Sequence, residues 1–138
     1  MLDCLIIGDS IAKGLGDVRR DCMTIAKVGI NTQDFLGTYS TKLPSSNIVI
    51  ISLSTNDSKD MHTHENLWLI RERVDAQYVI WILPNDTRAE TIEYIEALAR
   101  DFGDGTIKLH KEWLSKDNIH PTAKGYKELG KATMDVVD

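Results

Sequence analysis

The run Asn47-Ile48-Val49-Ile50-Ile51-Ser52-Leu53 constrains this chain more than any other feature. Its β-branched residues stand side by side, so an extended backbone there sends apolar side chains to both faces. Such a strand is stable only where both faces are covered, as at the centre of a parallel sheet flanked by helices. Similar but shorter runs recur along the chain. Residues 2–7, 24–28, 47–53 and 77–83 read as four strands, the last stopped by Pro84, and 106–110 as a weaker fifth. Helical patterns fill the gaps. Thr87-Arg88-Ala89-Glu90 has the form of a capping box, and Ile92, Ile95, Leu98 and Phe102 follow on one face. Leu67, Ile70 and Val74 make a second stripe. Pro121 is placed to open a last helix whose inward face is Tyr126, Leu129, Thr133 and Val137. Helices over 11–21 and 31–42 complete a strictly alternating order. That order predicts an α/β fold with a parallel sheet and helices on both faces, its ligand site beyond the carboxyl ends of the strands.

The chain has 138 residues, enough for one domain spanning 1–138. Apolar residues are 42% and charged residues 27%, a globular balance rather than a disordered one. The net charge is −5 and the densest basic spot is Arg19-Arg20, which argues against a nucleic-acid partner. No apolar stretch approaches the roughly 18 residues of a membrane span. The N-terminus lacks the basic leader of a signal peptide, so the expected location is cytoplasmic unless export uses a route the chain does not encode. The two cysteines, Cys4 and Cys22, are too few for a disulfide framework. Cys4 reads as a small buried apolar residue, with no bond between the two expected.

The loops at the functional edge carry Gly8-Asp9-Ser10, Val28-Gly29-Ile30, Ser54-Thr55-Asn56-Asp57 and Asp117-Asn118-Ile119-His120-Pro121. The glycines do not make a phosphate loop: Lys13-Gly14 reverses the required Gly-Lys pair, and Arg19 stands where a dinucleotide fingerprint needs its third glycine. Ser10 is a better lead. A serine hydroxyl is inert at neutral pH unless a base takes its proton. His120 can be that base, and Asp117 lies close enough in sequence to orient its ring. Gly8-Asp9-Ser10-Ile11-Ala12 is superficially like the nucleophile elbow of α/β-hydrolases, but that elbow lies deep in the chain.

These four blocks, in this order over residues 8–121, closely resemble the SGNH (GDSL) hydrolase superfamily. The resemblance implies a flavodoxin-like three-layer α/β/α sandwich with five parallel strands in the order 2-1-3-4-5. It implies ester hydrolysis or acyl transfer through an acyl-serine, without metal or cofactor. Carried onto this sequence, Ser10 is the nucleophile, His120 the base and Asp117 its partner. The oxyanion donors are the backbone N–H groups of Ser10 and Gly29 and the side-chain amide of Asn56. Asp9 and Asp57 are expected to brace loops rather than to catalyse. In one place the chain departs from the family: Ser54 occupies a position usually held by glycine, and strains the turn if the backbone there has positive φ.

Two further clusters carry less. His62 and His64 are two residues apart and do not share a helix face, so a metal site is not expected. Trp68, Trp81 and Trp113 read as core or rim packing. The substrate expected is a small ester or an acylated polysaccharide, most simply a short-chain, acetyl ester of a carbohydrate. An O-acyltransferase or a lipase- or thioesterase-like enzyme on the same residues is the alternative, and a binding module without turnover is disfavoured by the intact set.

Overall fold

The computed structural model describes residues 1–85 and 88–135. Among these, strands β1 (Leu2–Gly8), β2 (Met23–Ala26), β3 (Ser46–Ser52), β4 (Ala76–Ile82) and β5 (Gly105–Ile107) alternate with helices α1 (Ser10–Val18), α2 (Thr32–Thr38), α3 (Thr63–Glu72), α4 (Ala89–Phe102) and α5 (Ala123–Asp135). The strands form one parallel sheet in the order β2-β1-β3-β4-β5, as expected. Alternation along the central strands divides the core in two. Leu5, Ile7, Val49, Ile51, Val79 and Trp81 pack on one face against Phe35, Leu67, Ile70, Ile95 and Leu98 of α2, α3 and α4. Ile6, Ile50, Ile80 and Ile82 pack on the other against Ile11 and Leu15 of α1 and Leu129 of α5. No helix among the described residues is long and apolar enough to cross a membrane.

The elements depart from the sequence reading where a partner runs out. β2 ends at Ala26 rather than at residue 28, because its neighbour β1 ends opposite it, with Gly8 paired to Ala26. β5 is only Gly105–Ile107, paired to Ile80, Trp81 and Ile82. Beyond it β4 meets Pro84, so the predicted extension to residue 110 has nothing to bond to. α1 stops at Val18, not at residue 21, because Arg19 turns inward to donate to Thr133 Oγ1 at 2.7 Å and to the Asp21 carboxylate. The predicted helix over 31–42 splits into α2 and a single 3-10 turn at Ser40–Lys42, and Asn31 caps α2 by accepting from the Asp34 N–H. Pro121 does not open α5. Thr122 caps it, its Oγ1 accepting from Gly125 N at 3.0 Å. Thr87 of the capping box and Val137 lie outside the described residues.

The cysteine expectation is corrected: Cys4 and Cys22 are joined by a disulfide. The sheet register explains it. Leu5 of β1 pairs with Met23 of β2, so the residues one step earlier stand side by side, with Cα atoms 4.5 Å apart. That lies within the range a disulfide spans.

Candidate active site

At the carboxyl end of β1 the chain must leave the sheet within a residue of β3. Gly8 makes this possible. Its φ is +139°, and a Cβ there would lie 1.8 Å from the Ser52 carbonyl oxygen. Asp9 then caps α1. Its Oδ1 accepts from the N–H groups of Ile11 at 3.1 Å and Ala12 at 3.5 Å, and from the Ser52 hydroxyl at 3.0 Å. Asp9 is fully buried, and burial pushes its carboxyl up to about 6 against the lowering effect of those donors. It braces the start of the helix, as its type and position led us to expect. Ser10 follows as the first residue of α1, where free N–H groups and the helix dipole favour an anion.

From the opposite end of the sequence, the loop before α5 brings His120 to Ser10. Ser10 Oγ lies 2.9 Å from His120 Nε2, and His120 Nδ1 lies 2.7 Å from Asp117 Oδ2. Asp117 Oδ1 accepts from Ser115 Oγ and from the backbone N–H groups of Ile119 and His120. The His120 contact and these further bonds hold the Asp117 carboxyl well below the usual carboxylate range, so it is ionised. An ionised Asp117 accepts from Nδ1–H and leaves the Nε2 lone pair facing the serine hydroxyl. The loop is pinned to its surroundings by Ser115 N–H donating to the His120 carbonyl and by a bridge between Leu114 and Pro121.

The two remaining predicted residues sit on the β2 and β3 loops. Gly29 has φ +81° with open space where a Cβ would be, so conformation rather than crowding calls for glycine. Asn56 Nδ2 donates to the Ile30 carbonyl at 3.0 Å, joining its turn to the Gly29-Ile30 turn. An amide nitrogen carries two hydrogens, and Ile30 takes one. The turn is closed by Asp57 N–H donating to the Ser54 carbonyl, and Ser54 has φ +100°. The departure from glycine is thus a real backbone strain. Asp57 is a brace: it accepts from Thr32 N–H at 2.8 Å, from Thr32 Oγ1, and from Thr63 Oγ1 at 2.7 Å. The structure therefore joins Ser10, His120 and Asp117 directly. Asn56 and Gly29 form a second group on the adjoining loops of the same sheet edge.

A groove of about 1050 Å³ runs between the 58–65 segment and the start of α4. Its walls mix polar side chains, among them Lys59, His62, Thr63, Glu65 and Arg88, with apolar surface that includes Met61 and Ala89. Arg88 Nη2 donates to the Thr55 carbonyl at 3.0 Å. Nothing in the sequence marks Arg88 as part of the site, because its partner lies 33 residues away. His64 stacks on Tyr94, with ring centroids 4.2 Å apart. Of the tryptophans, Trp81 is buried core and donates to Asp104, Trp113 packs edge-on against His110, and Trp68 is exposed.

No family model matches the chain, and no curated protein matches it. Solved structures do. A Bacteroides fragilis protein classed as an acylhydrolase superimposes with a TM-score of 0.77 at 16% identity, over 99% of this chain and 86% of its own. The C-terminal catalytic domain of peptidoglycan O-acetyltransferase A from Streptococcus pneumoniae gives 0.67 at 17%, over 96% and 90%. An SGNH-hydrolase family esterase gives 0.54 at 17%, over 99% and 95%. At such identities the likeness is one of architecture, and the chain has the α/β/α fold of these acylhydrolase, O-acetyltransferase and esterase structures.

Proposed function

We propose that the chain is a serine ester hydrolase of the SGNH type, acting on short acyl esters, acetyl above all, of a polar alcohol such as a carbohydrate. The observation that carries this reading is the unbroken relay from Ser10 Oγ to His120 Nε2 at 2.9 Å and from His120 Nδ1 to Asp117 at 2.7 Å. In the reaction Ser10 attacks the ester carbonyl while His120 takes its proton. The tetrahedral intermediate collapses, the alkoxide leaves with that proton, and an acyl-serine remains. Water, deprotonated by His120, then attacks the acyl-serine and releases the acid and free Ser10. Asp117 fixes the ring tautomer and stabilises the imidazolium. The N–H groups of Ser10 and Gly29 and the amide of Asn56 receive the oxyanion.

The fold is shared with an O-acetyltransferase domain, so transfer to a second alcohol is the competing outcome for the same acyl-serine. The exposure of the His120 and Asp117 side chains, 42% and 46%, favours water as the acceptor. The test is intact-protein mass spectrometry after treatment with a fluorophosphonate, together with p-nitrophenyl acetate turnover. Wild type is expected to take one adduct and hydrolyse the ester. Folded Ser10→Ala is expected to take none and to lose turnover by about 10³-fold or more. Near-normal hydrolysis by folded Ser10→Ala would falsify the mechanism.

A further inference from the structure

The turn that presents Asn56 does not hold its shape unaided. Ser54 lies in the left-handed region at φ +100°, where a Cβ crowds the backbone, and it is fully buried. Its hydroxyl has no hydrogen-bond partner among the described residues. Such a conformation persists only where the surroundings impose it. Three tethers are present. Asp57 is gripped by Thr32 and Thr63, and the Asn56 amide is tied to the Ile30 carbonyl. The third comes from the other side of the groove. Arg88, one residue before α4, donates to the carbonyl of Thr55, which stands between strained Ser54 and Asn56. Asn85, from the same connection, donates to the carbonyl of Asn118 in the loop that carries Asp117 and His120. The segment after β4 thus touches both halves of the site, the oxyanion turn through Arg88 and the base loop through Asn85.

We propose that Arg88 is a positioning residue. By anchoring the Thr55 carbonyl with a charge-assisted hydrogen bond, it keeps the Asn56 amide where the oxyanion forms. This rests on the reading of Asn56 as an oxyanion donor. The Arg88 hydrogen bond goes to the Thr55 carbonyl and not to the nucleophile or the base, so its effect passes through one turn of backbone.

A double-mutant cycle on p-nitrophenyl acetate tests it. Arg88→Met keeps the length of the stem and removes the donors. It is expected to lower kcat about 10-fold and leave KM within about twofold, because the oxyanion exists only in the transition state. Arg88→Lys, with one flexible donor group, is expected to recover part of the loss. In an Asn56→Ala background, Arg88→Met is expected to change kcat by less than about twofold, since the group it positions is already gone. An unchanged kcat in Arg88→Met, or the same 10-fold loss with Asn56 absent, overturns the proposal. If Arg88→Met does not fold, Arg88→Gln and Arg88→Lys run the same cycle. The two readings fail differently. Full activity in Asn56→Ala removes the oxyanion reading and this proposal with it. A loss of about 10² or more in Asn56→Ala beside a neutral Arg88→Met removes only the positioning role.

Discussion

Ser54 carries two local costs. A non-glycine residue held at positive φ costs about 1–3 kcal/mol, and a buried hydroxyl left without a partner costs about 1–3 kcal/mol more. Glycine at the same place removes both and gives back about 0.5–1 kcal/mol of extra chain entropy in the unfolded state. Ser54→Gly is therefore expected to stabilise the protein by about 3 kcal/mol, raising the melting temperature by roughly 10 °C. Thermal and urea unfolding of the two proteins measure this, and a lower midpoint for the glycine variant would show that the serine is not strained. The same position shows how much a residue type alone can disclose. The resemblance marks position 54 as a glycine site, and backbone sterics say why a serine there is strained. Ser10, Asp117 and His120 are legible for the same reason: each belongs to a short local motif, and its chemistry requires that residue type. Arg88 is not, because its work is done on a carbonyl 33 residues away and any arginine on a helix start looks like solvated surface.

At the scale of elements, β1, α1 and β2 form one unit, and the Cys4–Cys22 disulfide closes it. The unit carries Ser10 at one turn, and Gly29 lies just beyond it. The pair lies 18 residues apart in sequence, and closing a loop of that length removes unfolded-state entropy worth about 3 kcal/mol in the chain-entropy model. Full reduction, or Cys22→Ala, is expected to lower the melting temperature by about 10 °C. Melting curves that coincide with and without reductant, with two free thiols titrated in the reduced sample, would show the bond to be without weight. Disulfides persist in oxidising compartments and are rare in a reducing cytosol, so the bond counts against the cytoplasmic expectation. Sequence periodicity could not find it. Hydrophobic pattern places a residue on a face of a strand, but register between strands is a tertiary property, and only the pairing of Leu5 with Met23 puts the two thiols opposite each other. The same limit explains the strand ends. β2 and β5 stop where their neighbours stop, which no property of their own residues encodes.

On the proposed reading, the whole molecule sets what kind of ester can reach Ser10. Between Asn56 and Asp117 the described chain is taken up by α3, β4, α4 and β5, with short connections between them. The His120 and Asp117 side chains remain 42% and 46% exposed. The groove between the 58–65 segment and the start of α4 is walled by Lys59, His62, Glu65 and Arg88 together with the apolar Met61 and Ala89. Charged and hydroxyl groups of that kind suit the polar alcohol of a substrate, and the apolar surface between them lies in an open groove rather than a closed tunnel for an alkyl chain. An apolar tunnel would add about 0.8 kcal/mol for each CH₂ it buried, so the six extra methylenes of an octanoyl over an acetyl group would raise the specificity constant by about three orders of magnitude. Without one, lengthening the acyl chain is expected to bring no gain. Specificity constants on p-nitrophenyl acetate, butyrate and octanoate, measured below the micelle-forming range, decide between the two. A flat or falling series is the expected result. A steady rise toward octanoate would sink the short-acyl reading and assign the protein a lipase- or thioesterase-like role, while leaving Ser10, His120 and Asp117 in the parts proposed for them.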